Sequence, residues 1–151
     1  MKAWSDPPAM GGSETSPRSG RERHVPFTAH LDIRVDRAEA GEAVVSVELK
    51  PHMLNNHDAG HGGVLMTLLD IAMANAALSK IDYAREVVTV DMTVGFMAAA
   101  SGRLVATGRA VGGGRSICFC EARIEDAQGR VAAQAMGTFR YRDAHSAVVN
   151  G

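Results

Sequence analysis

The segment "NNHDAGHGGVLMTLLDIAMANAALSK", residues 55–80, decides the fold. From about His61 to Lys80 it predicts one long helix, because a loop rich in Asn, Asp and Gly precedes a run that is apolar on nearly every side. Such a helix is expected to be buried on nearly every side. A single carboxylate, Asp70, lies in its middle, and a buried charge is unfavourable unless it is paired, hydrogen-bonded or protonated. The segment therefore predicts a core helix and one candidate functional residue.

Strand patterns lie on both sides of this helix. Before it, alternating residues predict a strand pair at about 29–37 and 42–50, joined by the turn "AEAG". After it, further strands are predicted in "EVVTVDMTVGFMAAA", "GRLVATGRAVGGG", "RSICFCEARIEDA" and "RVAAQAMGTFRYR", the last of these after a turn at Gln128 and Gly129. Two strands, one helix and four strands lack the alternation that is typical of a parallel sheet. The pattern therefore predicts an α+β domain, with an antiparallel sheet of about six strands packed on one helix.

The length of 151 residues fits one domain. We expect that domain over residues 26–145, between an N-terminal extension at 1–25, rich in Pro, Gly, Ser and charge, and a short tail at 146–151. One sheet covers only part of a helix that is apolar all round, and a second copy of the chain is the simplest cover for the rest. We therefore expect a homodimer at least.

Composition and charge narrow the range of partners. Hydrophobic residues make up 46% of the chain and charged residues 22%, which is typical of a globular protein. The formal net charge of −1 disfavours a sequence-independent nucleic-acid binder. No run of about 18 apolar residues is uninterrupted, and the N-terminus lacks the pattern of a signal peptide, so we expect a cytoplasmic protein without a membrane span. Small molecules or other proteins are the expected partners.

The two cysteines, Cys118 and Cys120, lie two residues apart in a predicted strand. Their side chains should share one face but stand too far apart for an unstrained disulfide, so we expect them reduced and facing the core. We expect no metal site at this pair, because no second cysteine pair accompanies it. We expect none at His57 and His61 either, because no HExxH motif is present.

Three glycines, Gly60, Gly62 and Gly63, cluster where the long helix begins. The first backbone N–H groups of a helix are unpaired and carry the positive end of its dipole. Without a Cβ in the way, a carbonyl oxygen can approach these donors and be stabilised as an oxyanion, while a desolvated Asp70 can act as a general base. Two structural alternatives remain open: the glycines can be a flexible junction, and Asp70 can cap a turn or pair with an arginine.

An Asn, five residues, HGG and then an acid inside a long helix form an ordered motif, here Asn55, residues 61–63 and Asp70. This motif resembles that of the hotdog-fold acyl-CoA thioesterases, in the branch typified by the phenylacetic-acid-pathway thioesterases. The resemblance covers residues 28–141. It implies a sheet wrapped around one long central helix and the hydrolysis of an acyl-CoA thioester to a free carboxylic acid and CoA. CoA enters as part of the substrate, and no cofactor is implied.

The resemblance also implies roles for single residues. Asp70 corresponds to the catalytic carboxylate, which acts as a general base on water or as a nucleophile on the thioester carbonyl. Gly62 corresponds to the residue whose backbone N–H polarises that carbonyl. The implied supporting residues are Asn55, which holds the water or the thioester, His61, which orients the site, and Thr89, which positions water.

In dimers of this family, the helix N-terminus of one subunit faces the acidic residue of the other. The resemblance thus implies an active site shared by two chains in a homodimer or a homotetramer. A shared site also resolves a problem of distance. Gly62 and Asp70 lie about 12 Å apart along one helix axis, which is long for one small substrate.

The chain departs from the family pattern at two places, one of which affects strand geometry and the other the positioning of water. No proline follows "VGF" in this chain, and Ala74 stands where a related branch places a Thr, which leaves Thr89 to position water. The candidates for substrate binding are Gly63 at the helix start, and Arg115 and Ser116, because a Gly-rich turn with an arginine suits phosphate. A solvated hairpin tip remains the alternative for Arg115 and Ser116.

Two other functions stay open on the sequence. One is a non-catalytic module that binds acyl-CoA or a lipid ligand. The other is a hotdog enoyl-CoA hydratase or dehydratase, which would need a paired His and acid in different positions. The acyl group is also open, since aliphatic and aromatic thioesters both fit, and the candidate lining residues are Met53, Met66, Met73 and Phe96.

Overall fold

The computed structural model describes residues 24–144. Its elements follow in the order α1 (Pro26–His30), β1 (Arg34–Glu39), β2 (Glu42–Glu48), a short 3-10 helix (Pro51–Met53), α2 (Gly62–Ser79), β3 (Glu86–Phe96), β4 (Arg103–Gly113), β5 (Ile117–Asp126) and β6 (Val131–Arg142). Two strands, one long helix and four strands are confirmed. Except for residues 24 and 25, the expected extension at 1–25 lies outside the described residues, as does the expected tail at 146–151.

All six strands form one antiparallel sheet in the order β1-β2-β4-β5-β6-β3. The α+β hotdog architecture that the sequence predicted is therefore confirmed. The long helix α2 connects β2 to β3, so the chain crosses the sheet between these two strands. As a result β3 becomes an edge strand of eleven residues that pairs only with β6.

Helix α2 packs against the sheet through one set of apolar residues. Buried members of the helix are Leu65, Leu68, Leu69, Ala72, Met73, Ala76, Ala77 and Ser79. The approach is close at Gly108 of β4, where a Cβ atom would lie 2.4 Å from the carbonyl oxygen of Ala72. Only glycine fits between the backbones of helix and strand at this crossing.

By length and mean hydropathy (1.4), α2 would also qualify as a membrane span. Half of this 18-residue helix is buried inside the protein, however, and the helix contacts all six strands. The packing identifies α2 as the core helix of this domain. The expectation that it is buried on nearly every side is wrong within one chain, because ten of its 18 residues stay at least partly exposed.

The predicted first strand is wrong over its first five residues. The structure has helix α1 at Pro26–His30, and β1 begins at Arg34. Proline at the first helical position favours a helix start, because its fixed φ suits the turn and its missing N–H is not needed there. Asp32, with a φ of 50°, then turns the chain into the strand.

The expectation for the cysteines is confirmed. Cys118 and Cys120 are both buried and free, with their sulfur atoms 3.7 Å apart on the same face of β5. Burial raises the pKa of the Cys120 thiol, which keeps it protonated and unreactive near neutral pH.

Candidate active site

The start of α2 leaves one backbone donor unused. His61 is the N-cap, and its Nδ1 accepts a hydrogen bond from the N–H of Gly63 at 2.9 Å. Its carbonyl oxygen accepts from the N–H groups of Val64 and Leu65, at 2.9 and 3.2 Å. Within residues 24–144, the N–H of Gly62 has no acceptor. Gly62 therefore presents a free donor at the positive end of the helix dipole.

These contacts show that the two glycines, which were predicted to have different roles, also differ in their backbone hydrogen bonds. Gly63, a predicted substrate-binding residue, has its N–H engaged by His61 and offers no free donor. A Cβ at Gly63 would lie 3.1 Å from the imidazole Nδ1, so glycine makes room for the cap. Because Nδ1 accepts, the proton of a neutral His61 is on Nε2. His61 thus orients the helix start itself.

The end of β3 lies beside this free donor. Two atoms of the Phe96 ring lie 3.4 and 3.5 Å from the position of a Cβ on Gly62. Phe96 is 55% exposed, which is unusual for a large aromatic side chain. An apolar ring therefore lies beside Gly62, and its exposed part is open to a ligand.

Asp70 lies further along α2, on the same side of the helix. Its Oδ1 accepts a hydrogen bond of 2.6 Å from the hydroxyl of Thr89 on β3. Asp70 is half-buried, and among the described residues no Lys, Arg or His forms an ion pair with it. The structural alternative of an Asp70–arginine pair is therefore not observed within one chain. The second carboxylate oxygen is available to a water or a substrate.

Helix α2 and strand β3 run in opposite directions along this site. Gly62 lies beside Phe96 at one end, and Asp70 lies beside Thr89 at the other. Met66, one helical turn from each of Gly62 and Asp70, is 41% exposed between them. We call this half-open row of Gly62, Met66, Asp70, Thr89 and Phe96 the α2–β3 channel.

The structure narrows the candidates for an acyl pocket. Met53 and Met73 are 1% and 0% exposed and belong to the core, whereas Met66 and Phe96 lie open in the α2–β3 channel. The sequence could not separate these four residues, because they are equally apolar. Which of them a ligand can reach depends on the packing of the sheet.

Asn55 stabilises the loop before the helix. Its side-chain oxygen accepts from the N–H groups of His57 and Ala59, at 2.9 and 3.2 Å. Among the residues that the structure describes, no hydrogen bond joins Asn55 to His61, Asp70 or Thr89. The oxygen is thus occupied by the loop, and only the side-chain amide nitrogen remains for a water or a substrate.

Arg115 and Ser116 lie at the tip of the β4–β5 hairpin, with both side chains exposed. Arg85, which the sequence analysis missed, donates to the Arg115 carbonyl oxygen at 2.6 Å, and its guanidinium lies 4.8 Å from the ring centre of Tyr141. Tyr141 pairs with Val87, two residues before Thr89. The hairpin tip therefore lies near the Asp70 end of the channel. No sequence signal links Arg85 to this hairpin.

The described part of the chain contains no group of three or more His, Cys, Asp or Glu residues that could hold a metal ion. The chemistry available in the α2–β3 channel is thus a free backbone donor, a carboxylate with a hydroxyl partner, and apolar side chains between them. This set suits a reaction at a carbonyl group, where the donor stabilises negative charge on oxygen and the carboxylate moves a proton.

Known proteins are similar to this chain over the segments that form the candidate site. Residues 59–133, which contain the α2–β3 channel, match the family model of the thioesterase superfamily. Over 110 residues the chain is 30% identical to a Saccharolobus solfataricus protein named "Putative esterase SSO2140", covering 72% of this chain and 78% of that protein.

Two solved structures are similar over most of the chain. The E. coli PaaI protein from the phenylacetic acid degradation operon is 26% identical, with a TM-score of 0.73 over 78% of this chain and 85% of that one. AziG of S. sahachiroi is also 26% identical, with a TM-score of 0.74 over 81% of this chain and 100% of that one.

Proposed function

The chain belongs to the thioesterase superfamily, and from that premise we propose that it hydrolyses acyl-CoA thioesters to a free carboxylic acid and CoA. The observation that carries the proposal is the α2–β3 channel, which combines the unused N–H of Gly62 with a carboxylate that has no cationic partner. A thioester carbonyl needs both groups, one for its oxygen and one for the attacking water.

The proposed reaction uses the Gly62 N–H and the Asp70 carboxylate in turn. The carbonyl oxygen accepts from the Gly62 N–H, where the helix dipole stabilises the charge that develops on it. Asp70 takes a proton from a water molecule as that water attacks the carbonyl carbon. The tetrahedral intermediate then collapses, the carbon–sulfur bond breaks, and the thiolate of CoA recovers the proton.

Thr89 is proposed to position the base. Its hydroxyl donates to Oδ1 of Asp70, which leaves Oδ2 to accept the proton of the attacking water. Asp70 can alternatively act as the nucleophile and form a mixed anhydride that water then cleaves. After a single turnover in ¹⁸O-labelled water, label in the Asp70 carboxylate identifies the anhydride route, because it enters only when water attacks the Asp70 carbonyl carbon of the anhydride.

We place the complete site between two chains. Within one chain Gly62 and Asp70 lie about 12 Å apart along the helix, and the edge strand β3 exposes Val88 and Val90 by 37% and 56%. A long exposed edge strand favours pairing with a second copy. Because α2 and β3 run in opposite directions, a two-fold axis near the middle of β3 brings the Gly62 end of one chain towards the Asp70 end of the other.

The residues that contact the rest of the substrate are assigned from their charge and position. We propose that Arg115 and Ser116 bind CoA phosphates, since their side chains are exposed near the Asp70 end of the channel and Arg85 holds the hairpin in place. The side-chain amide of Asn55 is proposed to contact the water or the thioester. Gly63 is proposed to leave room for the substrate beside the cap. A homodimer is the smallest unit with a complete site, and a homotetramer of two such pairs is compatible with it.

The test is a free-thiol assay over short, medium, long and aromatic acyl-CoA thioesters. We expect the wild-type protein to release CoA, and Asp70→Asn to lower kcat by about 10² to 10⁴-fold, because the step needs a base. Asp91→Asn, which changes an exposed carboxylate on the neighbouring strand β3, is the matched control and should retain activity. Equal rates for Asp70→Asn and wild type would exclude Asp70 as the base.

The same assay addresses the two other functions. A binding module would retain acyl-CoA without releasing thiol. A hydratase would consume an enoyl-CoA by adding water across its double bond, with no thiol released. The observed hydrogen bonds favour hydrolysis over hydration, because His61 bonds to Gly63 and is not paired with Asp70.

A further inference from the structure

We propose that Phe96 makes this protein select against acyl groups that branch at the carbon next to the thioester carbonyl. This inference rests on the proposed function, since it describes the substrate of the same site. Phe96 has a role in substrate specificity and none in the chemical step.

The Phe96 ring lies close to the place where the acyl carbon next to the thioester carbonyl would sit. A carbonyl oxygen bonded to the Gly62 N–H lies about 2.9 Å from that nitrogen. The next carbon of the acyl group then lies within about 5 Å of it, given ordinary bond lengths. The Phe96 ring lies 3.4 Å from the Cβ position of the same glycine. Ring and acyl α-carbon therefore occupy neighbouring space beside one backbone donor.

The acyl side of the thioester, and not its CoA side, is expected to face the Phe96 ring. A thioester has an apolar acyl limb and, beyond its sulfur atom, a CoA limb that contains amides and phosphates. Phe96 and Met66 are both open to solvent in the channel, and helix side chains lean back towards the preceding turn, which brings Met66 towards Gly62. Two apolar side chains beside the donor fit the acyl limb.

The shape of the space beside the Phe96 ring is expected to favour an unbranched acyl group. Because the ring lies 3.4 Å from the Cβ position of the donor residue, a thin acyl group such as a straight chain should fit beside it better than one with a methyl branch on the same side. Inserting a methyl group into such a space costs free energy through overpacking. The ring belongs to the same chain as Gly62, so the spacing between ring and donor is set within one chain.

The experiment compares two isomers, butyryl-CoA and isobutyryl-CoA, which contain the same atoms and differ only in the branch. We expect wild type to have the higher kcat/KM for butyryl-CoA. Phe96→Ala should raise kcat/KM for isobutyryl-CoA and lower the butyryl-to-isobutyryl ratio by about tenfold, within the range found for one methyl group in a pocket. Phe96→Leu should give an intermediate ratio.

Met97→Ala is the matched control. Met97 follows Phe96 directly and is equally exposed, at 54%, but none of its atoms lies within 4 Å of the Gly62 Cβ position. Its ratio should equal that of wild type. A gain of activity towards the branched isomer is the decisive readout, because damage to the fold lowers both rates together. Should Phe96→Ala melt well below wild type, Phe96→Leu decides the question by the same ratio.

An unchanged isomer ratio in both Phe96 variants, or a wild-type preference for isobutyryl-CoA, overturns the inference and leaves the proposed function standing. If wild type releases no thiol from any acyl-CoA, the proposed function fails first, and the inference fails with it. The two failures are thus distinguishable from the wild-type rates alone.

Discussion

Helix α2 has two faces that differ in nearly every physical property. On the sheet-facing side, Leu68, Leu69 and Ala72 are fully buried, and the helix backbone touches β4 at Gly108. On the channel side, Gly62, Met66 and Asp70 are at least partly open. One face supplies the free energy of packing, and the other presents a donor, a carboxylate and an exposed apolar side chain. The difference teaches that stability and chemistry are carried by separate stripes of one helix, so substitutions should affect one without the other.

After Asp70→Asn, the largest effect is expected from removing the backbone donor. Gly62→Pro deletes the N–H while keeping the helix, because proline is favoured at the first helical position and His61 already has the extended conformation (ψ 136°) that a following proline requires. We expect kcat to fall by about 10² to 10³-fold, as for the loss of one oxyanion donor. Steady-state kinetics on a thioester substrate, beside a melting curve, measures both properties.

Gly62→Ala is the control for that variant, since it keeps the N–H and adds a Cβ only in ordinary contact with Phe96, at 3.4 Å. Its kcat should fall by less than about tenfold. Full activity of Gly62→Pro would exclude this N–H as the oxyanion donor and would show that the exposed face of α2 does not supply the donor.

The sheet-facing side is tested by Gly108→Ala. The added Cβ meets the carbonyl oxygen of Ala72 at 2.4 Å, so helix and strand must separate. We expect the free energy of unfolding to fall by about 1–3 kcal/mol. Gly95→Ala, also in a strand but with nothing within 4 Å of its Cβ position, should change stability by less than about 0.5 kcal/mol. Urea unfolding of the three proteins gives the differences, and equal midpoints would show that the crossing is not tight.

A smaller effect is expected at the hydroxyl that orients Asp70. Thr89→Val keeps the shape of the side chain and removes the donor of the 2.6 Å hydrogen bond. We expect kcat to fall by about tenfold, since a hydrogen bond to a carboxylate at an exposed position contributes modestly. Thr89→Ser restores a hydroxyl and should recover most of the rate. A serine variant as slow as the valine variant would mean that the methyl group, and not the hydroxyl, matters at this position.

Much of the fold was predictable because its signals are local. The loop glycines and the long apolar run mark α2 to within one residue at each end, and strands β4 to β6 follow from their alternation and turns. The first strand was predicted to begin at residue 29, five residues too early, because the alternation continues back from β1, whereas the proline that starts α1 places Ala29 and His30 in a helix.

The site was only partly predictable, because its details depend on contacts between distant segments. The motif pointed to Gly62 and Asp70, but the sequence could not tell that His61 engages Gly63 and leaves Gly62 free. Nor could it separate the buried Met73 from the open Met66, or connect Arg85 to a hairpin 30 residues away. Side-chain orientation and packing decide these points, and neither is a property of a short segment.

The opposed directions of α2 and β3 have a genetic consequence. On the shared-site proposal, each site takes Gly62 from one chain and Asp70 from the other, so two inactive variants can complement each other. A dimer of one Asp70→Asn chain and one Gly62→Pro chain contains one intact site and one doubly damaged site. Random mixing of the two variants should then restore about a quarter of the wild-type activity, since half of the dimers are mixed and each has one working site of two. Sites confined to single chains would restore none.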